Sequence, residues 1–443
     1  MSRVVLVCGD AVGPQMAGPA IRAVELGRVL AARGHEVTVA AVSDTGLEEP
    51  SLRVTALDDA TVATLAGGAD VLIGQGWPLE RWPVLREAPA HLVIDLYDPY
   101  HLEGLVLDAS EPLEARLERH AGRMRVLTHQ LEDGDLFLCA GERQRDMWLG
   151  ALTGAGRVNP RTYARDPSLR SLIDTVPFGL PSSPPPPPRR RAIREAFPVI
   201  SADDLVLLWG GGLYDWFDPL TLIRAVDLAA QTVPDLRLVL HAAPHPSPTA
   251  APMTMGTRAR ELSAELGLTG RHVFFNETWV PYAERSDWLS DAAVGVSTHI
   301  AHVETEFAFR TRLLDYLWAG LPILCTAGDV LATEVERRGL GITVPPEDVD
   351  ALAGAIVRLA DAGRRQACTD RIADAARELT WESVAGPLVA FCAAPRRAAD
   401  REGAARGLPA EITPAPSPPA QAAALRRLLR PAVRRVRRRR PPG

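Results

Sequence analysis

The stretch VVLVCGDAVGPQMAGPAIRAVELGRVLAARGHEVTVAAV, from Val4 to Val42, decides the architecture. Val4 to Val7 form a short apolar run, Cys8 to Pro19 is a loop containing glycine and proline, and Ala23, Leu26 and Leu30 then recur at helical spacing over Ala20 to Arg33. Gly34 ends that helix, and a second strand is predicted over Glu36 to Val42. Strand, glycine loop, helix and strand are the first half of a parallel, doubly wound sheet, in which ligands sit beyond the carboxyl ends of the strands.

Further strand-like runs at Val71 to Ile73, Leu92 to Leu96 and Leu136 to Cys139 extend the series. The segment SSPPPPPRRR, Ser182 to Arg191, must be extended and cannot enter a central strand or a helix, so it reads as a hinge. The alternation then restarts, with strands predicted at Leu205 to Trp209, Leu236 to His241, Val273 to Phe275, Ala293 to Ser297 and Ile323 to Cys325. The expected fold is α/β, two Rossmann-like domains facing a cleft, with boundaries at 1–181 and 193–395 and a linker at 182–192. Residues 396–443 turn to alanine, proline and arginine and are expected to be a disordered basic tail. Within it Leu425, Leu428, Leu429, Val433 and Val436 share one helical face, which Pro431 would kink.

The composition, 47% apolar and 23% charged over 443 residues, suits two packed cores. The net charge of -6 hides an asymmetry, because residues 421–443 hold nine arginines and no acid, which leaves -15 on the rest. No lysine occurs, so any fixed cation facing a phosphate must be an arginine. Cys8, Cys139, Cys325, Cys368 and Cys392 show no metal-ligand spacing and read as buried thiols. No run reaches the roughly 20 apolar residues of a membrane span, and the N-terminus lacks a signal-peptide pattern, so a cytoplasmic location is expected. Leucines and valines accompany the tail's arginines, which favours an anionic membrane surface over nucleic acid as its partner, with a solvated tail that binds nothing as the plainer alternative.

The chemistry concentrates in ETEFAFRTRLLDYLWAGLPILCT, Glu304 to Thr326. It reads as a loop, a helix with Leu314, Leu317 and Trp318 on one face, a terminating Gly320 and a buried strand. Arg310 and Arg312 at the helix start suit a diphosphate, and Asp315 one turn in could accept two ribose hydroxyls. An i,i+3 surface pair of Arg312 and Asp315 is the plainer alternative.

This stretch resembles the retaining glycosyltransferases of family 4, through Glu306, Phe309, Asp315, Ala319, Gly320, Pro322 and Ile323. LLWGGGLYDWFDPLTLIRAV (Leu207–Val226), GLGITVPPEDVDALAGAI (Gly339–Ile356) and the opening loop with Gly18 and Pro19 are similar to other segments of that family. The resemblance implies a GT-B fold, an N-terminal acceptor domain, a C-terminal donor domain and a nucleotide diphosphate-sugar as co-substrate, with no further cofactor. It also implies a ribose role for Asp315 and a donor-sugar role for Glu306. The sequence departs from the family in three places. Glu306 and Asp315 are nine apart instead of eight, no cation follows Gly210, Gly211 and Gly212, and Tyr97 stands where a histidine is usual. Arg310 first, then Arg312 or the glycine N–H groups, must therefore hold the diphosphate.

Asp95, Asp98 and His101 at a predicted strand end are candidates to contact the donor sugar or the acceptor, alongside ordinary loop chemistry. Tyr214, Asp215, Trp216, Phe217 and Asp218 either stack on a base or sugar or pack the next helix; His299 and His302 are ligand-reaching or solvated. Asp133-Gly134-Asp135 and Asp348-Val349-Asp350 match a metal-binding triplet formally, but each falls in a loop of this series, and no metal is expected. Competing functions are a nucleotide-sugar epimerase or phosphorylase on the same fold and a catalytically silent sugar-nucleotide-binding scaffold.

Overall fold

The computed structural model describes residues 1–43, 45–243 and 253–402. The basic tail from residue 403 on, including its leucine and valine face, lies outside the described residues.

The first lobe is a parallel sheet of seven strands: β1 (Arg3–Ala11), β2 (Glu36–Ser43), β3 (Arg53–Ala56), β4 (Val71–Gly74), β5 (His91–Asp95), β6 (Leu136–Cys139) and β7 (Ile173–Thr175). Their spatial order is β3-β2-β1-β4-β5-β6-β7. The second lobe is a parallel sheet of six: β8 (Leu205–Trp209), β9 (Leu236–His241), β10 (Val273–Asn276), β11 (Val294–Ser297), β12 (Ile323–Thr326) and β13 (Gly341–Val344), ordered β10-β9-β8-β11-β12-β13. In each sheet the chain reverses its direction of travel beside the first strand, between β1 and β4 and between β8 and β11. A crevice opens at such a point beyond the carboxyl ends. Both lobes are therefore Rossmann-like and doubly wound, as the sequence pattern predicted.

β8, β9, β10, β11 and β12 fall where the apolar runs placed them, because central parallel strands are covered on both faces and read as unbroken apolar stretches. β3 and β7 carry no such run: Arg53–Ala56 is an edge strand with no buried residue, and Ile173–Thr175 has only three residues. The first helix spans Gly18–Ala32, two residues earlier than the leucine spacing indicated, since Pro19 occupies its first turn.

The chain passes between the lobes twice, side by side. Leu180 N–H donates to Leu379 O at 2.7 Å, and Trp381 N–H donates to Leu180 O at 2.9 Å. After the second crossing the helix Gly386–Ala393 packs on the first lobe, where Ser2 Oγ donates to Cys392 O at 2.8 Å. Residues 396–402, assigned to the tail by composition, are also anchored there: Arg397 pairs with Asp135 at 2.7 Å, Asp400 pairs with Arg157 at 2.5 Å, and Ala398 is buried. Low apolar content hid this segment, because its anchors are ionic. All five cysteines are free and buried.

Candidate functional site between the lobes

A cavity of about 550 Å³ lies between the two sets of carboxyl ends, walled by both lobes. Asp10 of β1, Gly18 and Pro19, Tyr97, Asp98 and Glu103 face it from the first lobe; Gly210, Gly211, Gly212, Trp216, Glu304, Phe309, Arg310, Arg312 and Asp315 face it from the second.

The glycine turn after β8 is held from behind by Tyr316, whose hydroxyl accepts from Gly210 N–H at 2.9 Å and lies 3.0 Å from Leu208 O and 2.9 Å from Val296 O. The ring fits only because residue 295 is glycine: a Cβ there would stand 2.2 Å from it. Gly211 N–H donates to Trp209 O at 3.2 Å. Two of the turn's three N–H groups are thus taken within the protein, which leaves the guanidiniums as the main anion donors.

Arg312 meets that requirement. Its Nη2 donates to Gly212 O at 2.9 Å, its guanidinium lies 4.0 Å over the Phe217 ring and 4.4 Å over Trp209, and its Nη1 is buried without a partner. Burial lowers its pKa to about 10, so it stays cationic at neutral pH in a place that disfavours the charge. An anion entering the cavity would relieve that cost. Arg310 is committed differently. It precedes the Arg312–Trp318 helix, its Nη2 pairs with Glu304 at 2.6 Å, and its Nε is buried and unpartnered.

Of the two glutamates that open this stretch, Glu304 reaches the cavity and Glu306 does not. Both lie on the short helix Val303–Phe307, capped by His302, whose ring accepts from Glu304 N–H at 3.2 Å. Two residues along a helix differ by about 200° in direction. Glu304 consequently points inward at 1% exposure, while Glu306 is exposed and does not line the cavity.

Asp315 faces the cavity one turn into its helix, and Arg312 is not its partner. Arg285 Nε donates to Asp315 Oδ1 at 3.1 Å, and the Arg285 guanidinium lies 3.6 Å over the Tyr282 ring and 4.2 Å over that of Trp318. Confinement in the cleft raises the Asp315 pKa, with Arg285 opposing the shift. Arg285 has no local sequence signal, because it arrives from a separate helix, Arg285–Leu289.

On the first lobe, Asp98 lines the cavity among other acids. Desolvation first, then the Glu304 charge, raises its pKa to about 7, and Glu103, which also lines the cavity, is pushed up by desolvation and then by the charges of Asp98 and Glu304. Asp95 and His101 are not in the cavity wall. Asp95 accepts two hydrogen bonds from Arg22, at 2.7 and 2.8 Å, and Arg22 also donates to Val176 O and Pro177 O. His101 packs against Trp148, 5.3 Å between ring centroids, and burial lowers its pKa to about 4.

The aromatic loop divides its roles. Trp216 faces the cavity; Asp215 accepts from Thr254 N–H and Met255 N–H; Asp218 caps the Pro219–Ala229 helix through Thr221 N–H. His299 is buried beside Asp329 at 3.6 Å, and neither it nor His302 lines the cavity. Both formal metal triplets have structural occupations: Asp133 pairs with Arg86, Asp135 with Arg397, and Asp348 caps its helix through Ala351 N–H.

Residues 204–362 match the family model described as glycosyl transferases group 1. No curated protein matches the chain. Among solved structures, Anabaena HepE in complex with UDP-glucose is 16% identical with a TM-score of 0.63, covering 88% of this chain and 98% of that one. Sucrose-phosphate synthase from Thermosynechococcus elongatus is 19% identical with a TM-score of 0.60, covering 88% and 98%. WaaG, a glycosyltransferase involved in lipopolysaccharide biosynthesis, is 17% identical with a TM-score of 0.61, covering 87% and 98%. The chain therefore has the two-lobed GT-B fold of these structures, and residues 204–362 of its second lobe match the glycosyl transferases group 1 model.

Proposed function

We propose that the protein moves a sugar from a nucleoside diphosphate-sugar to an acceptor held against the first lobe, without a metal and with retention at the anomeric carbon. The observation that carries this reading is the buried Arg312 guanidinium, one nitrogen open, beside the Gly210–Gly212 turn in a cavity walled by both lobes. The leaving group of such a transfer is a diphosphate, and fixed cations aimed at developing negative charge stabilise the transition state more than the ground state. Arg312 and Arg310 supply those charges, Asp315 receives the ribose, and Asp98 and Glu304 contact the reacting sugar or the incoming hydroxyl. Retention is taken from the family resemblance of the 304–326 stretch. Because HepE was crystallised with UDP-glucose, uridine nucleotides are the first donors to test.

A cytoplasmic protein working at a membrane surface is part of the same proposal. Among the described residues no helix is long and apolar enough to cross a membrane. The Leu113–Asp133 helix exposes Leu113 (58%), Leu117 (60%) and Met124 (36%) at i, i+4 and i+11, an apolar stripe on the lobe proposed to receive the acceptor.

The test is incubation with a panel of UDP-, GDP-, ADP- and dTDP-sugars, with and without EDTA. Slow donor hydrolysis that EDTA does not alter is the expected outcome. Interconversion of the sugar would instead indicate an epimerase, and binding without turnover a scaffold.

A further inference from the structure

We propose that Gln144 is a positioning residue that holds the acceptor-side loop at Tyr97–Asp98 and the donor-side loop at Phe307–Arg310 in register across the cleft; its catalytic consequence rests on the transfer reading above. Gln144 sits in the first turn of the helix Glu142–Gly154 and is 1% exposed. Its Oε1 accepts from Ala140 N–H at 2.7 Å, which fixes the orientation of the amide. Its Nε2 then donates one hydrogen to Tyr97 O at 2.8 Å, in its own lobe, and the other to Phe307 O at 2.7 Å, in the opposite lobe.

A primary amide has two hydrogens, and here each is given to a different lobe. The two carbonyls belong to the segments that carry the cavity's opposing charges: Tyr97 precedes Asp98, and Phe307 lies between Glu304 and Arg310. Because the acceptors are main-chain oxygens, the tie senses backbone position and not side-chain identity. In a buried site each bond is strong, and each carbonyl left open is costly. A neighbouring tie reinforces it, with Arg143 Nη1 donating to Gly328 O at 2.9 Å. A residue that only stabilised its own helix would need neither distant carbonyl.

The experiment is hydrogen exchange on the full chain, comparing Gln144→Leu and Gln144→Glu with the parent protein at matched pH. Gln144→Leu should speed exchange at least tenfold at Asp98 and at Ala308–Arg310, while the Gly210–Gly212 turn and residues 146–154 stay within twofold. Gln144→Glu covers the case in which the leucine variant does not fold. Its ionised carboxylate can donate to neither carbonyl, whereas its protonated form can donate to one, so protection of the two loops should be lost at pH 8 and partly restored at pH 5. In the same variants, donor turnover should fall at least tenfold, with nucleoside diphosphate affinity within twofold of the parent. Unchanged exchange at Ala308–Arg310 would overturn the tie, and altered exchange with unchanged turnover would overturn the positioning role. If the parent protein turns over no nucleotide sugar while the loops still respond, the transfer reading fails and the tie between the lobes stands.

Discussion

Arg310 and Glu304 form a buried ion pair, Nη2 to Oε2 at 2.6 Å, with 5% and 2% of their side chains exposed. Truncating either partner alone strands the other charge and should cost about 3–5 kcal/mol of stability, so single variants mix folding with function. The double variant Arg310→Met/Glu304→Leu removes both charges. It should melt within a few degrees of the parent protein yet lose donor turnover by roughly 100-fold, the scale of about 2.7 kcal/mol. Retained turnover in that folded variant would exclude the pair from the reaction. Glu306→Ala, on the exposed side of the same helix, should leave turnover within twofold.

Arg312→Ala should weaken nucleoside diphosphate binding by about 1.5–3 kcal/mol, the worth of a charged hydrogen bond, and leave nucleoside binding nearly intact. Asp315→Ala should weaken both ligands. Calorimetric titration with UDP and uridine separates the two positions; equal losses for both ligands in Arg312→Ala would reject its phosphate role.

The raised Asp98 pKa sets a pH dependence. The folded state holds its proton up to about pH 7, whereas the unfolded chain releases it near the ordinary 3.8. The native state binds more protons across that window, so this contribution to stability is full below about pH 4 and is lost as pH rises through 7. Glu103 shifts in the same direction and adds to it. The melting temperature of the parent protein should therefore fall more between pH 5 and 8 than that of Asp98→Asn. UDP, an anion, should also bind more weakly at pH 8 than at pH 6 in the parent protein. Parallel melting profiles for the two proteins would refute the assignment.

Asp95→Ala tests the opposite kind of role. Arg22 is 1% exposed and spends two nitrogens on Asp95, so removing the carboxylate should destabilise the protein by about 3–5 kcal/mol. The fraction that remains folded should bind UDP with near-parent affinity. Chemical denaturation and titration at low temperature read the two effects separately.

The sheets were legible in the sequence because buried parallel strands announce themselves as apolar runs, and Leu205–Trp209 and Leu236–His241 coincide with their predicted limits. The donor-side stretch was legible because strand, glycine turn, helix and terminator are local. What escaped was direction and distance. Glu304 and Glu306 are equivalent in composition and differ only in the way a five-residue helix turns them. Asp95 and Asp98 lie three residues apart, yet one is held by a buried arginine 73 positions earlier and the other faces the cavity. Arg285, Glu103 and Gln144 owe their places to tertiary contacts that no spacing rule encodes.

The paired crossings at Leu180 and Trp381 make the first lobe discontinuous in the chain. A protein truncated after residue 181 would lack the Gly386–Ala393 helix and the Arg397 and Asp400 anchors that cover its sheet, and would expose apolar surface in their place. Producing that lobe in isolation calls for grafting residues 381–402 back through a short tether. A two-fragment version of the protein cut near residue 192 should reassemble only when the larger piece lends that segment to its neighbour.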